Sequence, residues 1–206
     1  MSIEQPDCKT KSCFYTTFAQ PFQPMKPRVI LDDRKFKLTL QRLCHQLVEN
    51  HKDFANTVLI GVQPRGPFLS NRLRAYLQEI VPGLVLPHGN LDITFYRDDF
   101  RSGKGHLSPN NTSIEFSVEH KRVILVDDVL YTGRTIRAAM DALLDFGRPE
   151  TVELVVLIDR RFSRELPIHP DYVGKTIDSI ESERIRVEWK DIDGQDKVWL
   201  EEHRTD

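Results

Sequence analysis

The chain has little cysteine: Cys8, Cys13 and Cys44 are the three in 206 residues. An odd, small number excludes a disulfide framework and points to reduced thiols. Cys8 and Cys13 are followed by no Cys or His pair at ligand spacing, so a structural zinc site is not expected. Long hydrophobic runs are also missing, since none approaches the roughly 20 residues that span a bilayer. The first residues, MSIEQPDCKTKSC, carry acid and amide where a secretory signal would be apolar. A cytoplasmic protein without membrane contact is therefore expected. Net charge is nearly absent, with 29 Lys and Arg against 31 Asp and Glu. Any contact with nucleic acid must then come from a local patch rather than a global field. No internal repeat or low-complexity tract is present.

With 39% hydrophobic residues, the chain is long enough for one well-formed core. The stretch up to Arg28 is polar and carries Pro21, Pro24 and Pro27, which suits an extended arm. The expected organisation is an N-terminal extension over 1–28 and a single domain over 29–206. Beyond Asp32 the pattern turns helical: Phe36, Leu40, Leu43 and Leu47 recur at helical spacing, with Asp32 or Asp33 available as cap. TVLIGV (57–62) reads as a strand, followed by the turn QPRG and a helix with Leu69, Leu73, Leu77 and Ile80 on one face. LDITFY (91–96) is strand-like and RVILV (122–126) reads as a buried strand. Ile136, Met140, Leu143 and Leu144 mark a helix that Gly147 stops before the strand VELVVLI (152–158). Strands alternating with helices predict a mainly parallel α/β sheet flanked by helices, with ligands at the carboxyl ends of the strands. The polar, glycine-containing segment from Asp98 to His120 has the character of an active-site lid. RIRVEW and KVWL around DIDGQD read as a C-terminal hairpin.

The most informative stretch is VILVDDVLYTGRT (123–135). A turn from strand end to helix start offers free backbone N–H groups at the positive end of a helix dipole, and Tyr131, Thr132 and Thr135 add hydroxyls. Gly133 lets an anion approach closely. The lysine-serine pair and longer glycine spacing of a Walker loop are missing. Asp127 and Asp128 would repel a phosphate inside that cup, so they must serve another part of the ligand. Adjacent carboxylates suit a sugar diol, and the ligand so inferred is a ribose 5-phosphate. A plain helix cap is the competing reading for two aspartates by themselves.

VILVDDVLYTGRT resembles the phosphoribosyl pyrophosphate motif of the type I phosphoribosyltransferases. LDITFYRDD, DDVLYTGRTIRAAMDALLDFGRP and RELPIHPDYVGK together resemble the pyrimidine operon attenuation and uracil phosphoribosyltransferase family, from about Val29 to the C-terminal hairpin. The resemblance implies the type I fold with a mobile lid and a small C-terminal hood. It also implies synthesis of UMP and pyrophosphate from uracil and phosphoribosyl pyrophosphate, a homo-oligomer, and binding of pyrimidine-leader RNA that responds to UMP. By the same resemblance Asp127 and Asp128 hold the ribose hydroxyls, and the backbone from Leu130 through Tyr131, Thr132, Gly133 and Arg134 to Thr135 holds the 5-phosphate. Gln63, Pro64, Arg65 and Gly66 grip pyrophosphate. Arg97 and Asp98 open the lid, whose Arg101 and Lys104 reach pyrophosphate on closure. Tyr172 stacks on the base, the Val173 backbone reads its edge, and Arg160 reaches a carbonyl. Magnesium is carried mainly by pyrophosphate oxygens, with no dedicated protein ligands.

Purine-using relatives place an aspartate three residues after the second acid, where this chain has Tyr131. That favours a pyrimidine. On the RNA face Arg42, His45, Arg164 and Lys175 match. Gln41 replaces a threonine, Asn50 and Gln63 stand where basic residues are usual, and Ser163 and His169 replace a histidine and an arginine. Two alternatives remain beside the enzyme: an RNA-binding regulator with little catalysis, and a transferase for another nucleobase.

Overall fold

The computed structural model describes residues 27–98 and 111–202. Of the expected arm over 1–28, residues 1–26 lie outside the described residues, as do the lid cations Arg101 and Lys104, while Arg28 at its end is already the first residue of a strand. Strand β1 (Arg28–Leu31) leads into helix α1 (Asp33–His51), then β2 (Thr57–Val62), α2 (Gly66–Ile80) and β3 (His88–Leu91). After the lid segment come β4 (Arg122–Leu130), α3 (Arg134–Leu143), β5 (Thr151–Arg160) and β6 (Tyr172–Ile177). The chain closes with β7 (Glu183–Glu188), the short helix α4 (Lys190–Asp193) and β8 (Lys197–Glu202).

Five strands form a parallel sheet in the order β3-β2-β4-β5-β6. All six residues of β2 are buried, as expected of a strand covered on both faces. Phe36, Leu40, Leu43 and Leu47 form the inward face of α1, each 1% exposed or less. Their burial contributes about 1.5–3 kcal/mol apiece as an upper estimate. Asp32 caps α1, accepting a hydrogen bond from the Lys35 N–H at 2.9 Å. Gly174 lets α1 lie close to the sheet, because a Cβ there would sit 2.4 Å from the Leu157 carbonyl and 2.9 Å from Thr39 Cγ2.

The C-terminal hairpin joins β1 in an antiparallel sheet of order β1-β8-β7, so Arg28 already pairs with Leu200. This hood shares its core with α1 and α2. Trp189 is the joint: it is fully buried, edge-on to Phe36 at 5.3 Å, near Phe68 at 5.9 Å, and under the Arg72 guanidinium at 5.3 Å.

Three elements depart from the sequence reading. LDITFY is not a strand, for β3 occupies His88–Leu91 and Thr94–Tyr96 is a 3₁₀ turn. Asp92 Oδ1 accepts from the Thr94 N–H at 2.9 Å and from its hydroxyl at 2.6 Å, and this local Asx bonding overrides the β propensity of the segment. The strand read as ending at Val126 continues to Leu130, because β5 keeps pairing with it through Asp127, Val129 and Leu130. Met140 and Leu144 are exposed, whereas Ala138, Ala139 and Ala142 join Ile136 and Leu143 inside; small side chains let α3 sit against the sheet.

Candidate functional site

β2 has β3 on one side and β4 on the other. The connection leaving β2 runs to β3 and that leaving the adjacent β4 runs the other way to β5, so the two diverge at neighbouring carboxyl ends, the crevice where open α/β sheets bind ligands. Residues 63–65 leave β2 there, and Gly61 pairs with Val126 one residue before the acids of β4. The start of α2 is pressed onto the sheet. A Cβ on Gly66 would lie 2.3 Å from the Val126 carbonyl, and one on Gly61 2.6 Å from Ser70 Oγ. Both glycines are required by close approach, which fixes Arg65 beside β4. The Gln63–Pro64 peptide is cis, and Gln63 Nε2 donates to the Asn111 carbonyl at 2.9 Å.

Alternation along β4 sends the Asp127 and Asp128 side chains to opposite faces, and each residue is 7% exposed. Asp127 Oδ1 accepts from the Asp128 N–H at 2.9 Å. Arg65 Nε donates to Asp128 Oδ2 at 3.0 Å, and another guanidinium nitrogen donates to the Val187 carbonyl of β7. Burial raises both carboxyls above the usual range. The Asp128 charge raises Asp127 further while Arg97 pulls it down, and Arg65 holds Asp128 down. Two buried acids with opposed orientations are unlike a helix cap; α3 starts six residues later, and its cap is Gly133.

From the buried Leu130 the chain passes through Tyr131 and Thr132 to Gly133, whose φ of 93° is left-handed and favours glycine. Its Cβ would also crowd Leu166 and Ile168 at 3.4 Å. Behind the loop the Thr132 carbonyl accepts from the N–H groups of Glu165 and Leu166 at 3.0 and 3.2 Å. The N–H of Arg137 returns to the Gly133 carbonyl at 3.0 Å and that of Arg134 donates weakly to Thr132 Oγ at 3.4 Å, so the N–H groups of Thr135 and Ile136 stand without a place in the helix ladder at its positive end. The Arg134 side chain is engaged elsewhere: it meets Glu165 at 2.6 Å and Asp98 at 3.1 Å, and Arg137 also pairs with Asp98. Arg97, Asp98, Arg134 and Thr135 line a cavity of ≈ 310 Å³. Thus Asp98, the last described residue before position 111, is tied to the first turn of α3.

At the far end of the crevice the structure corrects the expected base contacts. Tyr172 is the first residue of β6, near the amino edge of the sheet, and is 4% exposed in the core under α1. Its hydroxyl donates to Glu153 Oε2 at 2.7 Å and accepts from Asn50 Nδ2 at 3.0 Å. With its hydroxyl pushed up to about 12, mainly by burial, it is a packed structural residue rather than a stacking platform. The Val173 carbonyl accepts from Arg42 at 3.1 Å, again away from the ligand edge. The segments at that edge follow β5 and β6 instead: Phe162 and Ser163, with 178–182, line an open cleft of ≈ 730 Å³. Arg160 does stand there. The signal was in the sequence, because DSIES follows the strand YVGKTI at its carboxyl end.

The four RNA candidates do not form one patch. Arg42 and Lys175 line a single groove of ≈ 440 Å³ with Lys35, Leu38 and Thr39, and His45 is exposed one turn along α1. Arg164 instead pairs with Asp159 and donates to the Tyr131 carbonyl at the crevice, so it braces the turn that leads into α3. Among the described residues no group of three or more His, Cys, Asp or Glu is arranged to hold a metal, and no helix is long and apolar enough to cross a membrane.

Residues 29–192 match the family model of the phosphoribosyl transferase domain. The chain is 45% identical over 177 residues to the bifunctional protein PyrR of Halalkalibacterium halodurans, covering 85% of this chain and 97% of that protein. Against the bifunctional protein PyrR of Bacillus mycoides it is 48% identical over 172 residues, 82% of this chain and 94% of the relative. Among solved structures, the hypoxanthine phosphoribosyltransferase of Trypanosoma cruzi superposes with a TM-score of 0.64 at 15% identity, covering 85% of this chain and 96% of that one. That likeness speaks for the fold.

Proposed function

Because the chain belongs to the phosphoribosyl transferase family, and its relatives within it are bifunctional PyrR proteins, we propose that it is a uracil phosphoribosyltransferase that makes UMP and pyrophosphate. One observation carries the reading: the buried Asp127 and Asp128 abut a left-handed Gly133 and a helix start, at the switch point of a parallel sheet. The first turn of α3 takes the 5-phosphate. The acids take the ribose diol, and Arg65 with the 63–66 turn takes pyrophosphate. N1 of uracil forms a bond to the anomeric carbon as the bond to pyrophosphate breaks, and the leaving oxygen keeps the electron pair while N1 loses its proton. Fixed ribose and preplaced charge supply orientation and stabilise the oxocarbenium-like state. Arg97 and Asp98 line the cavity beside the start of α3 and border the site.

The donor set fits magnesium, which prefers oxygen ligands: hard carboxylates stand beside the site of a polyphosphate that would itself supply most of the ligands. When bound it neutralises charge on the leaving group. Asp127 and Asp128 are the residues that would approach it, while Arg65 neutralises from the protein side.

The reading extends to a single catalytic domain that begins with β1 at Arg28, preceded by an accessory segment, in a cytoplasmic homo-oligomer. Release of pyrophosphate from phosphoribosyl pyrophosphate, with uracil, cytosine, orotate, hypoxanthine and guanine offered separately, tests the assignment. Turnover with uracil is expected; turnover confined to a purine would overturn it.

Binding of pyrimidine-leader RNA is the second part of the proposal, supported by the groove that brings Arg42 and Lys175 together. With Arg164 turned to the phosphate loop, affinity is expected to be modest, specific over a scrambled hairpin and tightened by UMP. Equal binding of both hairpins would remove regulation from the reading.

A further inference from the structure

β5 and β6 end on an arrangement that touches neither phosphate nor ribose. Arg160 and Ile177 are register partners at the last positions of these strands. The segments that follow, 161–163 and 178–182, therefore stand side by side at the ligand edge. Arg160 is 5% exposed, and burial lowers its pKa against the opposing influence of Tyr131 and the Glu183 charge. A buried guanidinium is costly to keep unless its donors are satisfied. Three groups hold it in place. Ser179 Oγ accepts from Nε at 2.8 Å, the Ile180 carbonyl accepts from Nη2 at 3.0 Å, and the guanidinium carbon lies 4.0 Å above the Tyr131 ring. Ser179 is itself buried, and Tyr131 belongs to the phosphate loop.

We propose that Ser179 is a positioning residue for base selection, clamping Arg160 flat on Tyr131 so that the guanidinium faces the base as a fixed donor. A guanidinium only donates, so it favours a ring carbonyl and disfavours an amino group at the same place. Uracil is thereby preferred to cytosine. The stacked pair of Arg160 and Tyr131 also forms a wall between the phosphate loop and the cleft, restricting the depth available to a fused two-ring purine. Stacking on tyrosine alone would leave the guanidinium free to turn about its long stem; the Ser179 and Ile180 oxygens remove that freedom. The inference rests on the pyrimidine transferase reading and deepens it.

The test uses the full chain and two ligands that differ by the base. UMP and ribose 5-phosphate are titrated by calorimetry into the parent, Ser179→Ala, Ser179→Cys and Ser179→Thr. Loss of a hydrogen bond to a charged group should weaken UMP by about tenfold or more in the alanine and cysteine variants. Ribose 5-phosphate, which lacks the base, should keep its affinity in all four. Threonine retains the hydroxyl and should restore UMP binding. Equal weakening of both ligands, or unchanged UMP affinity, would overturn the proposal. Cysteine keeps the shape and decides the matter if the alanine variant does not fold. Turnover of the parent with each base separates the two claims: a parent that uses another base sinks the uracil reading, and Ser179 is then judged by that base's nucleotide against ribose 5-phosphate.

Discussion

Arg65→Ala removes one side chain that meets the floor of the crevice and the hood at once. On the Asp128 side it deletes a 3.0 Å hydrogen bond to a carboxylate whose side chain is 10% exposed, from a guanidinium side chain that is 44% exposed. Hydrogen bonds to charged groups contribute about 1.5–3 kcal/mol, and screening of the exposed arginine brings this to about 1–2 kcal/mol. The Val187 carbonyl loses a further bond of about 1 kcal/mol. A total of about 2–3 kcal/mol lowers the melting temperature of a chain this size by about 4–12 °C. The loss should depend on pH. Burial holds the Asp128 carboxyl above its ordinary 3.8, and Arg65 limits the rise. A carboxyl raised on folding contributes stability that is full below its unfolded pKa and fades as pH climbs, so removing Arg65 costs more at pH 8 than at pH 5. Melting the parent, Arg65→Ala, Asp128→Asn and the double variant at both pH values closes a cycle. In the asparagine background the cost should shrink to the Val187 share. An equal cost in both backgrounds would refute the coupling. The same variant should lose more affinity for phosphoribosyl pyrophosphate than for UMP, which has no pyrophosphate; equal losses would remove Arg65 from that role.

Asp128→Asn should lower phosphoribosyl transfer by about ten- to hundredfold while the melting temperature holds, since it removes a ribose contact and a buried charge together; unchanged turnover would remove Asp128 from the site. Gly66→Ala puts a methyl group 2.3 Å from the Val126 carbonyl, so stability should fall by about 1–3 kcal/mol and the KM for phosphoribosyl pyrophosphate should rise as the 63–65 turn shifts. His51 is 2% exposed and burial depresses its pKa below 6.5, so the stability it contributes is present above that value and fades as pH falls through the lowered one. Melts from pH 8 to pH 5 should show the fade, and His51→Gln, neutral throughout, should flatten it. Arg42→Ala should reduce the slope of hairpin affinity against salt by about one phosphate contact.

Much of the sheet was legible because buried parallel strands are continuous apolar runs: TVLIGV is β2 residue for residue. The turn before α3 was legible too, since a left-handed glycine between hydroxyls and a helix start leaves a local trace. What failed was a matter of competing signals: within LDITFY the local bonds of Asp92 to Thr94 prevail over β propensity, and the alanines inside α3 carry almost no periodic signal. Tyr172 was misplaced for a different reason. An aromatic at the head of a strand looks the same as one at its tail until the strand's direction assigns the head to the amino edge, beneath α1 and Glu153. Arg164 likewise reads as a surface cation until Asp159 and the Tyr131 carbonyl are brought against it.

The double attachment of Arg65 ties the floor of the crevice to the hood. Arg65 Nε donates to one oxygen of Asp128, Oδ2, and leaves the other oxygen to accept from a second donor. On the proposed reading that donor is a ribose hydroxyl, so the carboxylate that meets the sugar is strapped through one guanidinium to the Val187 carbonyl of β7. A strand late in the chain thereby helps to set the position of an acid on β4.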